Sequence, residues 1–159
     1  MGRPITMTDL CELSGYTRHQ MRGFLGELPM YGKRKGNARV AIEYSTHDLL
    51  IVTVCCRLET RYGIKRQTVC GFADGIARIL GGPDRVKQSG RLVLKFDPIQ
   101  VNYVEQLGTQ IGDGVVVALE PVMALIERHL APVDTPVPKH QMEINYGLLE
   151  VNSARKGQA

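Results

Sequence analysis

The chain contains 159 residues, of which 43% are hydrophobic, and it carries a formal net charge of +4 at pH 7. This length and apolar content are sufficient for one domain of good size or two small ones, and they exclude a chain that needs disulfide staples to fold. Residues 1–66 contain eleven Lys or Arg against six Asp or Glu, whereas residues 67–159 contain nine against ten. The basic excess lies in the N-terminal part, which favours a polyanionic partner for that part alone.

The first predicted elements are two short helices joined by a turn. Thr6 and Asp9 have the spacing of a helix-capping hydroxyl and carboxylate, which predicts a helix over Thr6–Ser14 that ends at Gly15. Thr17 is the predicted N-cap of a second helix, whose apolar side chains recur every three or four residues. These apolar side chains are Met21, Phe24, Leu25 and Leu28.

The outward face of the second helix is predicted to be basic, because Arg18, His19 and Arg22 lie opposite the apolar stripe. A helix packed at an angle on a partner helix can enter the major groove of DNA, where arginine is the strongest reader of guanine. The alternative is a solvated helix face that carries two arginines by chance.

The following stretch, residues 31–39, predicts a basic wing. Four of the seven positions from Lys33 to Arg39 are cationic, Gly36-Asn37 can form a hairpin turn, and residues 40–44 alternate as a half-buried strand does. Cations at such a tip suit phosphates or a minor groove. The two basic parts together predict a DNA-binding site composed of Thr17, Arg18, His19, Arg22, Lys33, Arg34, Lys35, Asn37 and Arg39.

Two longer helices are predicted next. Ser45 and Asp48 repeat the capping pattern ahead of an apolar helix that extends to about Arg61. A fourth helix is predicted over Arg66–Leu80, with one apolar side made of Val69, Phe72, Ala73, Ile76 and Leu80. Four cations cluster around the turn between these helices, where either a phosphate contact or a solvated turn is consistent with the sequence.

The first eighty residues resemble the MerR-like winged helix-turn-helix proteins. The resemblance rests on the order and spacing of several short motifs. They are the helix at Thr6–Ser14, the Gly15-Tyr16-Thr17 turn, Gln20-Met21-Arg22, Tyr44-Ser45-Thr46-His47-Asp48-Leu49, Tyr62-Gly63-Ile64-Lys65 and Val69.

The resemblance implies a protein that binds double-stranded DNA as a two-fold dimer. Members of the family are usually transcriptional regulators, and some small relatives act as excision factors. The chain departs from the family at Gly23, where an aromatic residue is common, and in the larger separation of Arg39 from Tyr44. It also lacks the long dimerisation helix, because Gly81-Gly82-Pro83 ends the fourth helix early.

The rest of the chain predicts a second unit after a linker at 81–90. Strands are predicted at Arg91–Phe96, at Ile99–Val104 and, covered on both faces, from Val115 to Leu119. A helix follows Pro121, and a further strand is predicted around Met142–Tyr146. The expected fold is therefore α+β, with a winged helix-turn-helix domain at 1–80, a small mixed α/β dimerisation or sensing module at 91–152 and a disordered tail at 153–159.

No catalytic constellation is recognisable in the sequence, so we expect a binding protein rather than an enzyme. Cys11, Cys55, Cys56 and Cys70 are predicted to be buried thiols, and metal sensing through three of them with His47 is the alternative. Gly108, Gly112 and Gly114 lack the lysine of a phosphate loop, which favours a plain loop. Neither a cofactor nor a metal is predicted.

The sequence thus predicts a cytoplasmic, dimeric, sequence-specific DNA-binding protein, which is nucleoid-associated when bound. No N-terminal segment resembles a signal peptide, and the longest apolar run, Leu49–Cys56, is too short to span a bilayer. An excisionase-like architectural factor is one alternative function. A winged-helix module that binds protein is another, and the sequence leaves open whether a small-molecule effector is bound.

Overall fold

The computed structural model describes residues 3–34, 41–83, 86–106 and 111–132. These residues form an α+β fold with five helices and one three-stranded antiparallel sheet. In chain order the elements are α1 (Met7–Ser14), α2 (Arg18–Glu27), α3 (Thr46–Thr60), α4 (Arg66–Leu80), β1 (Arg91–Phe96), β2 (Ile99–Val104), β3 (Val115–Ala118) and α5 (Glu120–Leu130). The predicted α+β class is confirmed. None of the helices in the described ranges is long and apolar enough to cross a membrane.

The predicted caps define the two short helices. The backbone N–H of Thr6 donates to Asp9 Oδ2 at 2.7 Å, and Gly15 ends α1 in the left-handed region with a φ of 76°. That conformation costs a residue with a Cβ free energy, so glycine suits the position. The helix α2 begins after Thr17, whose hydroxyl accepts a hydrogen bond from the backbone N–H of Gln20 at 3.2 Å. The two helices pack against each other.

Helix α3 is the core of the N-terminal part, because α1 and α4 both pack on it. It begins after the predicted cap of Ser45 and Asp48. A helix that is apolar on all sides must be covered on all sides. Its buried residues are Leu49, Leu50, Ile51, Val52, Thr53, Val54, Cys55, Cys56 and Leu58. The hydroxyl of the one polar residue among them, Thr53, donates to the carbonyl of Leu49 at 2.6 Å.

Helix α4 connects the helices to the sheet. Its predicted apolar side is buried as expected, and its glycines allow β2 to approach closely. A Cβ placed on Gly75 would lie 2.8 Å from Cγ2 of Val101, and one on Gly71 would lie 3.1 Å from Cδ1 of Ile99. The ring of Phe72 packs edge-on against Phe96 with 5.2 Å between centroids.

The sheet has the order β2-β1-β3, and the predicted hairpin of β1 and β2 is confirmed. Leu94 of the central strand lies opposite Val101 on one side and Val115 on the other. The expectation that β3 is covered on both faces is wrong. Val115 and Val116 are only half-buried and Ala118 is exposed, because β3 pairs with β1 alone among the described strands and lies at the edge of the sheet.

The predicted wing strands do not form in the described residues. The chain after α2 closes in turns, in which the backbone N–H groups of Tyr31 and Gly32 donate to the carbonyl of Leu28 at 3.1 and 2.9 Å. Residues 41–43 are not in a strand, and Tyr44 pairs instead with Ile5, through an N–H···O bond of 3.0 Å. The proposed wing tip, residues 35–40, lies outside the described residues.

One compact unit extends from Met1 to His129, so the predicted linker at 81–90 lies within it. The second unit begins at Leu130, and only Leu130–Pro132 of it is described. The strand expected around Met142–Tyr146 and the disordered tail expected at 153–159 both lie outside the described residues.

Candidate nucleic-acid interface

Helix α2 separates its apolar and basic side chains as predicted. Met21, Phe24 and Leu25 are buried, whereas Arg18, His19 and Arg22 are exposed. The exposed residues occupy the first half of the helix, which is the end that recognition helices present to base edges.

Two residues at the start of α2 also have structural roles. The hydroxyl of Thr17 is occupied as the N-cap of the helix, and Arg18 Nη2 donates to Thr8 Oγ1 of α1 at 2.9 Å. This side-chain bond crosses the turn and fixes α2 relative to α1. Because a guanidinium has five donors, Arg18 keeps most of them for another ligand.

Three arginines converge on two adjoining depressions beside α2. One depression, of about 330 Å³, is lined by Arg18 and Arg22. The other, of about 180 Å³, is lined by Arg22 and Arg34. Both also include Ile42 and Tyr44, so Arg22 stands between the two cavities. No Asp or Glu of the described ranges lines either of them.

The side chain of Arg34 is held by contacts with Asp48 and Tyr31. Its Nη1 and Nη2 atoms each lie 3.3 Å from one carboxylate oxygen of Asp48, and its guanidinium lies 5.0 Å from the ring centroid of Tyr31. The phenol of Tyr31 donates to the same carboxylate at 2.9 Å. The sequence predicted that Arg34 holds the DNA backbone or the adjoining minor groove, and in the structure its charge is paired with the acid that caps α3.

The pKa values around this pair follow from their contacts. Burial alone would raise the pKa of Asp48, but hydrogen bonds from the Ser45 backbone, Tyr31 and Arg34 outweigh it and lower that pKa. Burial, with the hydrogen bond to Asp48, raises the pKa of the Tyr31 phenol. Asp48 is therefore an ionised acceptor and Tyr31 a neutral donor at neutral pH.

The other predicted site residues differ in how far the structure describes them. Lys33 is exposed in the turn after α2 and makes no ion pair with another described residue. Lys35, Asn37 and Arg39 lie outside the described residues.

Sequence reasoning missed a charged cluster that joins the first and last helices. Asp9 of α1 is nearly buried, and its Oδ1 atom lies 2.7 Å from Arg3 Nη1 and 2.9 Å from His129 Nε2 of α5. Arg3 Nη2 also lies 3.4 Å from Nε2. Because the carboxylate is closer and is the stronger acceptor, we assign the imidazole proton to Nε2, which donates to Asp9.

This cluster includes three potential metal ligands, Asp9, Glu12 and His129, whose ligand atoms lie within 4.8 Å of one another. The guanidinium of Arg3 already places a positive charge next to Asp9, the most buried of the three. We therefore interpret the cluster as an ion-pair network. No local sequence signal could have shown it, because Asp9 and His129 are 120 residues apart.

The cysteines are only partly as predicted. Cys55 and Cys56 are buried, whereas Cys11 and Cys70 are half-buried. Burial raises the pKa of the Cys55 thiol to about 12 and also raises that of Cys56. Both are therefore neutral, unreactive core side chains at neutral pH.

Comparison with known proteins adds no assignment, since no protein-family model and no curated protein matches the chain.

Proposed function

We propose that this protein binds double-stranded DNA, with the exposed face of α2 in the major groove, and acts as a dimeric, MerR-like transcriptional regulator. The observation that carries the proposal is the convergence of Arg18, Arg22 and Arg34 on two adjoining depressions that no described Asp or Glu lines, although Arg34 is itself paired with Asp48. A surface that gathers cations in this way favours a polyanion, because each phosphate contact releases condensed counterions from the duplex.

The position of the arginines along α2 supports a division of roles. Arg18 is the first residue of the helix and Arg22 follows about one turn later on the exposed face. In a helix-turn-helix arrangement these positions reach base edges, and His19 and Thr17 stand beside them. Arg22 has no ion-pair partner among the described residues, so its guanidinium is available for a bidentate contact with guanine.

The turn after α2 supports a contact with the DNA backbone. The braced Arg34 fixes the start of the basic segment against α3, and the exposed Lys33 lies directly before it. Of the described residues on either side of the proposed wing tip, Arg34 lines one of the two depressions and Ala41 lines the other. We therefore expect Lys35, Asn37 and Arg39, as components of a wing, to contribute to this one basic surface.

A single copy of this basic surface makes few base contacts, so useful specificity requires two copies on an inverted repeat. Selection of binding sites from a pool of random duplexes tests this function. The proposal predicts enrichment of a sequence with two-fold symmetry. A pool that shows no enrichment after repeated rounds would contradict sequence-specific binding.

A further inference from the structure

An exposed apolar pair lies at the end of the β1–β2 hairpin. Phe96 and Ile99 retain 44% and 51% of their full exposure, and they lie directly opposite each other in the ladder. They are two of the three large hydrophobic residues that are exposed among the described residues. Adjacent exposed apolar side chains of this size are more typical of an interaction surface than of a solvated hairpin.

Beside this pair, the outer face of α4 forms a depression of about 330 Å³. Gly71 and Gly75 of α4 and Ile99 of β2 are among the residues that line it. Ile99 and Val101 of β2 already occupy the space over these glycines, so the depression lies along the seam between α4 and β2.

Two opposite charges border the same depression. Asp74 and Arg78 are both exposed on α4 and stand about one helical turn apart. Neither makes an ion pair with another residue in the part of the chain that the structure describes. The surface therefore combines an apolar pair with one positive and one negative charge on α4.

We propose that this α4 surface, defined by Gly71, Asp74, Gly75, Arg78, Phe96 and Ile99, is a two-fold interface between two copies of the chain. In an isologous contact the same surface meets itself, so each residue faces a counterpart related by the two-fold axis. With the two α4 helices antiparallel, Asp74 faces the partner's Arg78, and Arg78 faces the partner's Asp74. Ile99 and Phe96 of both copies then bury one another beside the two ion pairs.

The charge pattern selects a second copy as the occupant. Nucleic acid or an acidic protein would require an excess of cations on this surface, and a basic partner would require an excess of acids. A surface with one charge of each sign is complementary to itself. The location is also compatible with DNA binding, because none of the six residues of the α4 surface lines the two depressions beside α2.

The expectation of a dimer rests on the proposed function, whereas the location of the interface rests on the α4 surface alone. The test therefore measures mass by light scattering, without DNA, so that failure of the interface and failure of DNA binding are separate results. The full chain should have twice its 17.6 kDa monomer mass.

Two single variants and their mixture test the geometry. Asp74→Arg places two arginines on each copy, and Arg78→Asp places two aspartates there, so either variant alone confronts like charges. Each should weaken the dimer by about a hundredfold and yield monomers. An equal mixture of the two should recover the dimer, because every arginine then faces an aspartate across the two-fold axis.

The matched control is Asp113→Arg, which reverses an exposed charge outside the α4 surface and should leave the mass unchanged. If one of the first variants fails to fold, a second pair of single variants, Asp74→Lys and Arg78→Glu, repeats the test. A monomeric wild-type chain, dimers of either single variant, or a mixture that remains monomeric would each overturn the proposal.

Discussion

Arg34 and Asp48 link the basic turn after α2 to the start of the core helix α3. Two guanidinium nitrogens of Arg34 each lie 3.3 Å from one carboxylate oxygen of Asp48. The same carboxylate accepts from the Ser45 backbone N–H at 2.9 Å and so caps the helix. One side chain therefore both begins a core helix and holds a cation at the edge of the proposed DNA-binding surface.

Replacement of Asp48 by Ala should destabilise the fold by about 2–4 kcal/mol. Loss of a helix cap costs about 0.5–2 kcal/mol, and the Tyr31 phenol would lose its acceptor, which costs about 1–3 kcal/mol for a buried group. Urea unfolding measures the change in the free energy of unfolding. Asp113→Ala, at an exposed loop position, is the control and should remain within about 0.5 kcal/mol of the wild type. A similar small change for both variants would show that Asp48 does not stabilise α3.

Acid should weaken the charged cluster in which Asp9 of α1 contacts His129 of α5. Burial alone would raise the pKa of this carboxyl, but hydrogen bonds from Thr6, His129 and Arg3 outweigh it and hold the pKa well below its ordinary value of 3.8. A carboxyl whose pKa is lowered by folding stabilises the protein above its unfolded pKa, and this contribution disappears as the pH falls.

Asp9→Asn should therefore be less stable than the wild type at pH 7, and the difference should shrink steadily below about pH 4. Unfolding free energies measured across this range give the comparison, with Asp113→Asn as the control for an exposed carboxyl. A difference that stays constant with pH would mean that the charge of Asp9 does not contribute.

Two helical glycines should respond to alanine with opposite signs. A Cβ on Gly75 would lie 2.8 Å from Val101 Cγ2, so Gly75→Ala should cost about 1–3 kcal/mol through overpacking of α4 on β2. A Cβ on Gly23 of α2 would have nothing within 4 Å. Gly23→Ala should instead stabilise by about 0.5–1 kcal/mol through helix propensity. Thermal or urea unfolding of both variants measures the contrast, and equal effects would refute the close approach of α4 to β2.

Arg22 and Lys33 should affect DNA binding differently. Arg22→Ala should lose about 1–3 kcal/mol on a selected site and relax the base preference at one position. Lys33→Ala should weaken binding to all sequences alike and reduce the salt slope by about one. Binding isotherms on the selected site and on random duplex distinguish the two effects. An equal loss on both duplexes for Arg22→Ala would refute its role in reading bases.

The helices could be predicted because their signals are local. The capping pairs, such as Thr6 with Asp9 and Ser45 with Asp48, determine where helices begin, and Gly15 determines where α1 ends. The exposed face of α2 follows from the same periodicity that buries Phe24. These signals lie within a few residues of one another, so a single sequence contains them in full.

The contacts that the sequence missed join residues distant in the chain. The alternation before Tyr44 indicated a strand but could not identify its partner, which is Ile5 rather than the turn after α2. The pairing of Arg34 with Asp48 likewise depends on how the turn packs on α3, since charge composition does not reveal which cations are already neutralised.

The most direct test of the central claim is the affinity of the full chain for random duplex DNA at two salt concentrations. We expect salt-dependent binding with a log–log slope of about −0.9 for each phosphate contacted. The affinity and the slope should both fall in a variant that lacks Arg18, Arg22 and Lys33, and should persist in Arg128→Ala, which removes an exposed arginine of α5. An affinity that is negligible, that is indifferent to salt, or that is unchanged by the loss of Arg18, Arg22 and Lys33 would contradict the claim that this basic surface binds DNA.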